Sequence, residues 1–424
     1  MPALLARVAG QPGVRVDGTR ARFDPALVDG FVQAYRASRP KPEPPGDALS
    51  LEILTGYALY LVEPETDQVR PMTTADCVRM ARLVGALYPN GVRGGTPGQP
   101  QDVPSPLRQL MAYKIGCEQT VTNGWVGFTA LAELDYLTQM ARVTGSSIGL
   151  GIFPRDPLCL DGPTVTMALH CLDHGVDIPI TITNMAIRGV SAPVQLPGAF
   201  VSSLATVLGA YTVFKLIGTD LSFYVSVFPF DFRVGTIAYG TPDHILCNLF
   251  STQFCAYYGT GWGFFQSLHT NAIFADAHAL LQRGAFSAIA ALAGARHFGY
   301  GGCGGIDVTF SPELLLYDVE LLRYLEHVIT PTPFDVEALA LEAIAATGPG
   351  GAHLTSDATL DACRSLWTSN IFSHLPVEQV AATDVKARAC RHIDALIEGY
   401  EQEINGDQLR ELDAIYAHAE RQFV

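Results

Sequence analysis

Positive charge is scarce and scattered in this sequence. Its 424 residues hold 27 lysines and arginines against 42 aspartates and glutamates, for a formal net charge of −15. Without a dense basic run there is nothing to neutralise a phosphate backbone, which argues against a nucleic-acid partner. The nine cysteines are scattered singly; with no CxxC pair they predict reduced thiols rather than a disulfide framework. No uninterrupted apolar stretch reaches the roughly 18 residues that suggest a membrane span. The opening MPALLARVAG lacks the apolar run of a secretory signal. A cytoplasmic protein with no membrane partner is the expectation. There is no GxGxxG between a predicted strand and helix, no P-loop lysine after a glycine cluster, no nucleophile elbow and no two-metal set. A directly bound metal is not expected.

What the chain has is apolar side chain, 48% hydrophobic against 16% charged residues, ample for one large core. Proline-rich RPKPEPPG at 39–46 blocks helix and central strand and should close an N-terminal arm over residues 1–47. A strand-like patch at 51–62 and a helix at 74–87 form a preface, 48–108. From residue 109 short apolar runs alternate with longer helical patterns punctuated by glycine. The run at 148–153 precedes a helix near 163–174 that stops at Gly175, and the run at 178–183 precedes one near 199–217 that stops at Gly218. The run at 221–228 leads to a helix with Thr241 as N-cap, Pro242 in its first turn and Gly259 beyond its end. The run at 263–266 leads to a helix starting near Asp276, and Ser311-Pro312 opens another whose apolar face carries Leu314, Tyr317 and Leu321. Such alternation implies parallel strands with right-handed crossovers. The expected fold is α/β, a (β/α)8 TIM-type barrel over 109–375 with the N-terminal arm and a C-terminal helical extension over 376–424.

In a barrel the strand ends carry the chemistry. After the apolar runs come Asn184-Met185-Ala186, Pro229-Phe230-Asp231-Phe232-Arg233, His269-Thr270-Asn271, and the glycine-dense segment from Gly299 through Gly301, Gly302, Cys303 and Gly304. Glycines let a large flat partner approach the backbone, though a tight unliganded turn reads the same way. Phe228, Phe230, Phe232, Tyr239 and Phe264 could form a cage for a quaternary ammonium, although most aromatics are core. Asp231 and Asp276 could orient the cation or serve only as loop ion pairs. His170, Cys171 and His174 share a helix face but sit at the wrong end for a barrel site. Cys303 remains a candidate zinc ligand or nucleophile.

At these segments the sequence resembles the trimethylamine methyltransferase family, including its members that lack pyrrolysine and act on betaines. The blocks are RPMTTADCVRMARLV from Arg70, DVPSPLRQL from Asp102, GVDIPITITNMAIRGVSAPVQLPGAF from Gly175, FDFRVGTIAYGTPDHIL from Phe230, DAHALLQRGAFSAIAALAGARHFGYGG from Asp276, SPELLLYDVELL from Ser311 and GPGGAHLTSDATLDACRSLW from Gly348. Together they span about residues 50 to 375. The resemblance implies a barrel whose mouth receives a methylated amine and docks a separate corrinoid-binding protein, whose reduced cobalt takes the methyl group. Carried over by position, the family-like residues are Asp231, Gly235, Gly240, Asp276 and His278, with Glu313 and Asp318 on a helix. Where many relatives read Ser-Asp-Ala-Lys, this chain reads Thr270-Asn271-Ala272-Ile273, and its N-terminus is short for the family.

The candidate catalytic set is therefore Asp231, Asp276 and His269. Asn184, Phe228, Phe230, Phe232, Arg233, Tyr239 and His353 are expected to bind substrate, with Arg233, Arg188 or His353 pairing a betaine carboxylate. Gly301, Gly302, Cys303 and Gly304 are expected to meet the corrinoid (cobalamin), carried by its partner protein. A homo-oligomer is expected. The alternatives are a barrel methyltransferase with a zinc-thiolate or folate acceptor, and a non-catalytic quaternary-amine binding protein.

Overall fold

The computed structural model describes residues 2–39, 46, 48–128, 130–146, 148–260, 265–372, 376 and 385–424. Phe264 and the expected boundaries at 47 and 375 lie outside the described residues.

Seven short strands organise the molecule: β1 (Ser50–Ile53), β2 (Val92–Gly94), β3 (Leu150–Ile152), β4 (Ile180–Ile182), β5 (Ser222–Phe223), β6 (Phe265–Ser267) and β7 (His297–Gly299). All pair in parallel, in two arcs with the orders β6-β7-β1-β2 and β3-β4-β5. The result is a mixed α/β fold built on parallel sheets. The alternation along each strand explains its two faces. Leu51 and Ile53, Val92, Leu150 and Ile152, and Ile180 and Ile182 are buried. Between them, Glu52, Arg93, Gly151 and Thr181 point the other way and line a cavity.

The principal helices are α1 (Thr74–Ala86), α2 (Arg108–Gln119), α3 (Leu131–Thr144), α4 (Pro163–His174), α5 (Leu196–Leu216), α6 (Pro242–Tyr258), α7 (Ala277–Leu292) and α8 (Pro312–Ile329). Their ends follow local chemistry. Thr241, Asp276 and Ser311 each accept backbone N–H groups of the turn they cap, and Gly175 and Gly259 close α4 and α6 in left-handed geometry. At α1, Thr73 and Asp76 form a capping box. Helix α5 is long and apolar enough to cross a membrane by length and composition, yet more than half of its apolar stretch is buried inside the fold.

The segment 48–108, set apart by its sequence, supplies two adjacent strands of the main sheet. The patch at 51–62 is not one strand, because Gly56 turns the chain at φ +70. Beyond the turn, Tyr60–Val62 pairs antiparallel with Val69–Pro71 and parallel with Thr309–Phe310.

The arm consists of helix Pro2–Val8, a hairpin of Val14–Asp17 with Arg20–Phe23, and helix Pro25–Ser38. It is docked through Tyr35, whose ring lies 4.8 Å from Phe223 and 5.3 Å from Tyr211. Burying such a side chain contributes about 1.5–3 kcal/mol. At the other end, Val385–Glu398 packs on α1 and α8, and Gly406–Phe423 on α3, where Tyr136 Oη and His418 Nδ1 are 2.8 Å apart. By contrast, the stretch after α8 is exposed, with Phe334, Leu354 and Leu366 facing solvent.

Candidate active site

A cavity of about 790 Å³ is lined by both arcs and by the loops after their strands. Eight of its lining side chains are aromatic, among them Tyr57, Trp125, Phe228, Tyr239 and Tyr300. The loop 300–307 supplies its most constrained wall. Tyr300, Ile306 and Asp307 all have left-handed backbone, with φ of +64, +61 and +64, each costing about 1–3 kcal/mol.

A buried ion pair holds that loop. Arg283 on α7 and Asp318 on α8 meet at 2.5 Å with no exposure on either side chain. Asp318 also accepts the Gly302 N–H at 2.8 Å, and Arg283 donates to the Cys303 carbonyl. Burial pushes the Asp318 carboxyl up, and the Arg283 guanidinium opposes the shift.

The loop delivers Asp307 to the back of the cavity wall, where its Oδ1 lies 2.8 Å from His269 Nδ1. An ionised carboxylate only accepts, so Nδ1 carries the hydrogen and Nε2 is left as the ring's acceptor. Nε2 makes no hydrogen bond among the described residues. The imidazole is stacked on Tyr239 with centroids 4.4 Å apart and lies 4.1 Å from the Tyr300 ring. Tyr57 meets Tyr300 edge-on at 4.9 Å. Burial, followed by the charge of Asp307, raises the phenols of Tyr57 and Tyr239; burial likewise holds Tyr300 well above its ordinary range. The three phenols stay neutral at physiological pH and line the cavity as one cluster of rings with a carboxylate beside it. Such a wall attracts cations.

Behind it, His244 on α6 stacks on Phe286 and accepts the Gly240 N–H at 3.1 Å. Burial, then the neighbouring His269, lowers its pKa to about 3. Deeper in the cavity, Glu52 is the sole lining carboxylate and Arg93 the sole lining Lys or Arg among the described residues. Burial pushes Glu52 up, partly offset by the Trp125 N–H.

The residues singled out from the sequence divide between the cavity and other places. His269, Asn184, Phe228 and Tyr239 line the cavity. The Asn184 amide is committed to the fold: it donates to Asp156 and Ser203 and accepts from Ser226. Asp231 pairs with Arg233 at 2.9 Å in an outward hairpin, and the Arg233 side-chain and backbone donors lower it to about 2. Phe230 and Phe232 pack on each other there at 5.2 Å, with Phe232 63% exposed. Arg188 binds Asp243 at 2.7 Å. Asp276 caps α7. His353 sits in the exposed stretch after α8, against Thr347.

Gly301, Gly302, Cys303 and Gly304 are buried. A Cβ on Gly301 would fall 2.8 Å from Leu51, one on Gly302 2.6 Å from Phe310, and one on Gly304 2.6 Å from the Ala272 carbonyl. The glycines thus let the loop press against its own protein, and burial raises the Cys303 thiol. Among the described residues no cluster of three or more metal-ligating side chains occurs. Asp307, Tyr57, Tyr300, Glu52 and Arg93 join the site without having stood out in the sequence. Only the last two carried a local signal, a charge at an alternate position of an apolar strand.

A sequence profile of the trimethylamine methyltransferase (MTTB) family matches residues 5–423. The chain belongs to that family. Within it, a trimethylamine methyltransferase of Methanosarcina acetivorans is 26% identical over 276 residues, 64% of this chain and 55% of that protein. A glycine betaine methyltransferase of Desulfitobacterium hafniense is 24% identical over 390 residues, 84% of this chain and 78% of that one. The chain thus spans a little over half the length of the trimethylamine methyltransferase it matches. Among solved structures, the monomethylamine methyltransferase of Methanosarcina barkeri superposes with a TM-score of 0.47 at 12% identity, covering 99% of this chain and 79% of that one.

Proposed function

We propose that this family member moves a methyl group from a quaternary or tertiary methylated amine, betaine-like in its charge, to the cobalt of a corrinoid carried by a partner protein. The two arcs are read as parts of one (β/α)8 barrel, with the cavity as its hollow interior and mouth. The observation that carries the proposal is the neutral phenol wall of Tyr57, Tyr239 and Tyr300 backed by Asp307. It suits a bulky cation that offers no strong hydrogen bond.

The mouth also suits a large flat acceptor. Phe153 and Met185, just beyond the ends of β3 and β4, line the cavity yet are 42% and 44% exposed, giving an apolar rim against which a corrin ring could lie. Reduced cobalt would supply the nucleophile. What this chain contributes is binding, orientation and charge. The aromatic wall holds the ammonium and excludes water from it, and the Asp307–His269 pair fixes the imidazole. A quaternary ammonium leaves as a neutral tertiary amine and needs no proton. A protonated tertiary amine keeps its N–H, which can hydrogen-bond to His269 Nε2, and loses its positive charge with the methyl group, so the secondary amine also leaves neutral.

The test is methyl transfer to reduced free cobalamin, followed by its visible spectrum, with trimethylamine, glycine betaine and longer betaines as donors. The proposal expects turnover with at least one donor and a loss on replacing Asp307. Ligand binding without transfer to any corrinoid acceptor would make the chain an amine-binding protein instead.

A further inference from the structure

Between the end of α8 and the return of the chain at Trp367 lies an arm, residues 331–366, in which no residue is buried. Both of its roots are tied to α8. The Trp367 ring meets Tyr324 edge-on at 5.3 Å, Ser369 Oγ donates to the Glu320 carboxylate, and Ile371 is buried just beyond. The arm's two helices, Leu341–Thr347 and Asp357–Ala362, have seven and six residues and no buried side chain. Helices so short are marginal in water without something to pack on. Yet the arm is not polar. Eight of its large apolar residues are exposed, among them Phe334, Val336, Leu341, Leu354 and Leu366.

The flank of the molecule carries an apolar surface that is likewise uncovered. Helix α7 buries Ala279, Arg283, Phe286 and Ala290 on its inner face. Its outer face repeats Leu281, Ala285, Ile289 and Leu292 at the spacing of one helical stripe, with Leu281 73% and Leu292 77% exposed. Among the exposed residues of α7, His278 is the only polar one. A helix that is apolar all round belongs in an interior. Helix α6 extends the surface, since the two helices share a groove lined by Leu249, Thr252, Ile289 and Ala293.

Charge differs between the two surfaces in the sense that joins them. The arm holds Asp335, Glu337, Glu342, Asp357 and Asp361 against Arg364 alone. From His244 to Ile306, the segment containing α7 and nearly all of α6, Asp276 is the only acid in a chain that has 42. It caps the N-terminus of α7, the end remote from Ile289 and Leu292. Toward the other end, Arg36 stands 4.1 Å over the Tyr257 ring of α6, and Arg296 follows α7. Opposite charge of this kind steers and registers a contact.

The areas suit an exchange. At roughly 100 Å² for each large apolar side chain removed from water, two arms and two receiving faces exceed the roughly 1,600 Å² of a stable interface. Helices α7 and α8 pack side by side, so the root of the arm and the receiving face lie on one side of the molecule, where a two-fold axis can satisfy both at once. We infer that residues 331–366 are an exchange arm: two copies of this chain associate about a two-fold axis, each laying its arm across the α6–α7 flank of the other. Neither the arm nor the outer face of α7 lines the cavity, and the inference does not depend on the proposed function.

The experiment is sedimentation equilibrium of the intact protein and of two double variants, Leu281→Glu with Leu292→Glu on the flank and Phe334→Glu with Leu341→Glu on the arm. The wild type should have about twice the mass of the chain, or a multiple of that dimer. Each variant should lose at least half of the wild-type mass, with its fold checked by circular dichroism. An equal mixture of the two should regain mass, because one sound arm then meets one sound flank. Hydrogen exchange of the wild type decides where a variant does not fold: amides of the arm's two helices should exchange at least about tenfold more slowly in the associated protein than on dilution. A monomeric wild type, variants that keep the wild-type mass, a mixture that stays at the mass of its parts, or arm amides indifferent to dilution each overturns the inference.

Discussion

Two glycine-bearing turns in this protein, the hairpin at 230–237 and the loop at 300–307, use their special backbone in opposite ways. In the hairpin, Gly235 takes φ +74 and would meet nothing if it carried a Cβ. Its charges, Asp231 and Arg233, satisfy each other in solvent. In the loop, Gly302 has φ +70 and no room at all, and three non-glycine residues share its left-handed geometry. A fully buried ion pair holds it there. The hairpin could change with little consequence for its neighbours, whereas the loop is over-determined from both sides. Local strain persists only where the surroundings enforce it, and the enforced turn is the one that shapes the cavity.

The comparison is sharpest at the clamp. Asp318→Ala should leave Arg283 charged and buried without a counter-charge, at a cost of about 3–5 kcal/mol, read as a large drop in the urea midpoint. A small change would mean the loop holds itself. Next in size is Asp307→Asn, which conserves shape and removes the charge behind His269 and the phenols. Methyl transfer with the best donor should fall by about 100-fold in kcat/KM with the thermal midpoint nearly unchanged. Undiminished turnover would separate the strained loop from the chemistry.

A third prediction concerns acid. His244, behind the wall, is held to about 3 by burial, below its ordinary value near 6.5. Below pH 6.5 the unfolded chain therefore binds a proton that the folded one refuses, so stability is full above that pH and falls as pH drops toward 3. Urea midpoints at pH 7.5 and 5 should show the loss, and His244→Phe should reduce it. The smallest effects belong to the hairpin. Asp231→Ala and Phe232→Ala should each change stability by less than about 0.5 kcal/mol and turnover by less than about twofold; a strong loss of turnover in either would return the hairpin to the active site.

The sequence spoke most clearly where a side chain acts on its own neighbours. Thr241, Asp276 and Ser311 cap the helices that their local patterns announce, and the family resemblance is matched along residues 5–423. It spoke less clearly about which aromatics gather. Phe228 and Tyr239 come to the cavity, whereas Phe230 and Phe232, beside them in sequence, pack on each other outside it, with Phe232 exposed. Spacing by two would put Phe228, Phe230 and Phe232 on one face of a continuous strand; the chain instead changes partner at Pro229, with Phe228 paired to Ile187 and Phe230 to Ile237.

The amino-acid order by itself determined helices α1 and α4 to α8 with several of their ends, the alternation that yields parallel strands, and the family. These follow from interactions within a few residues or from patterns repeated along the chain. Only the tertiary structure decided that Asp307 stands behind His269, 38 residues away, that Arg283 and Asp318 close on the glycine loop, and that Glu52 and Arg93 share one cavity. Each is a meeting of distant segments, and what brings them together is the packing of whole helices and strands, which no single stretch of sequence contains.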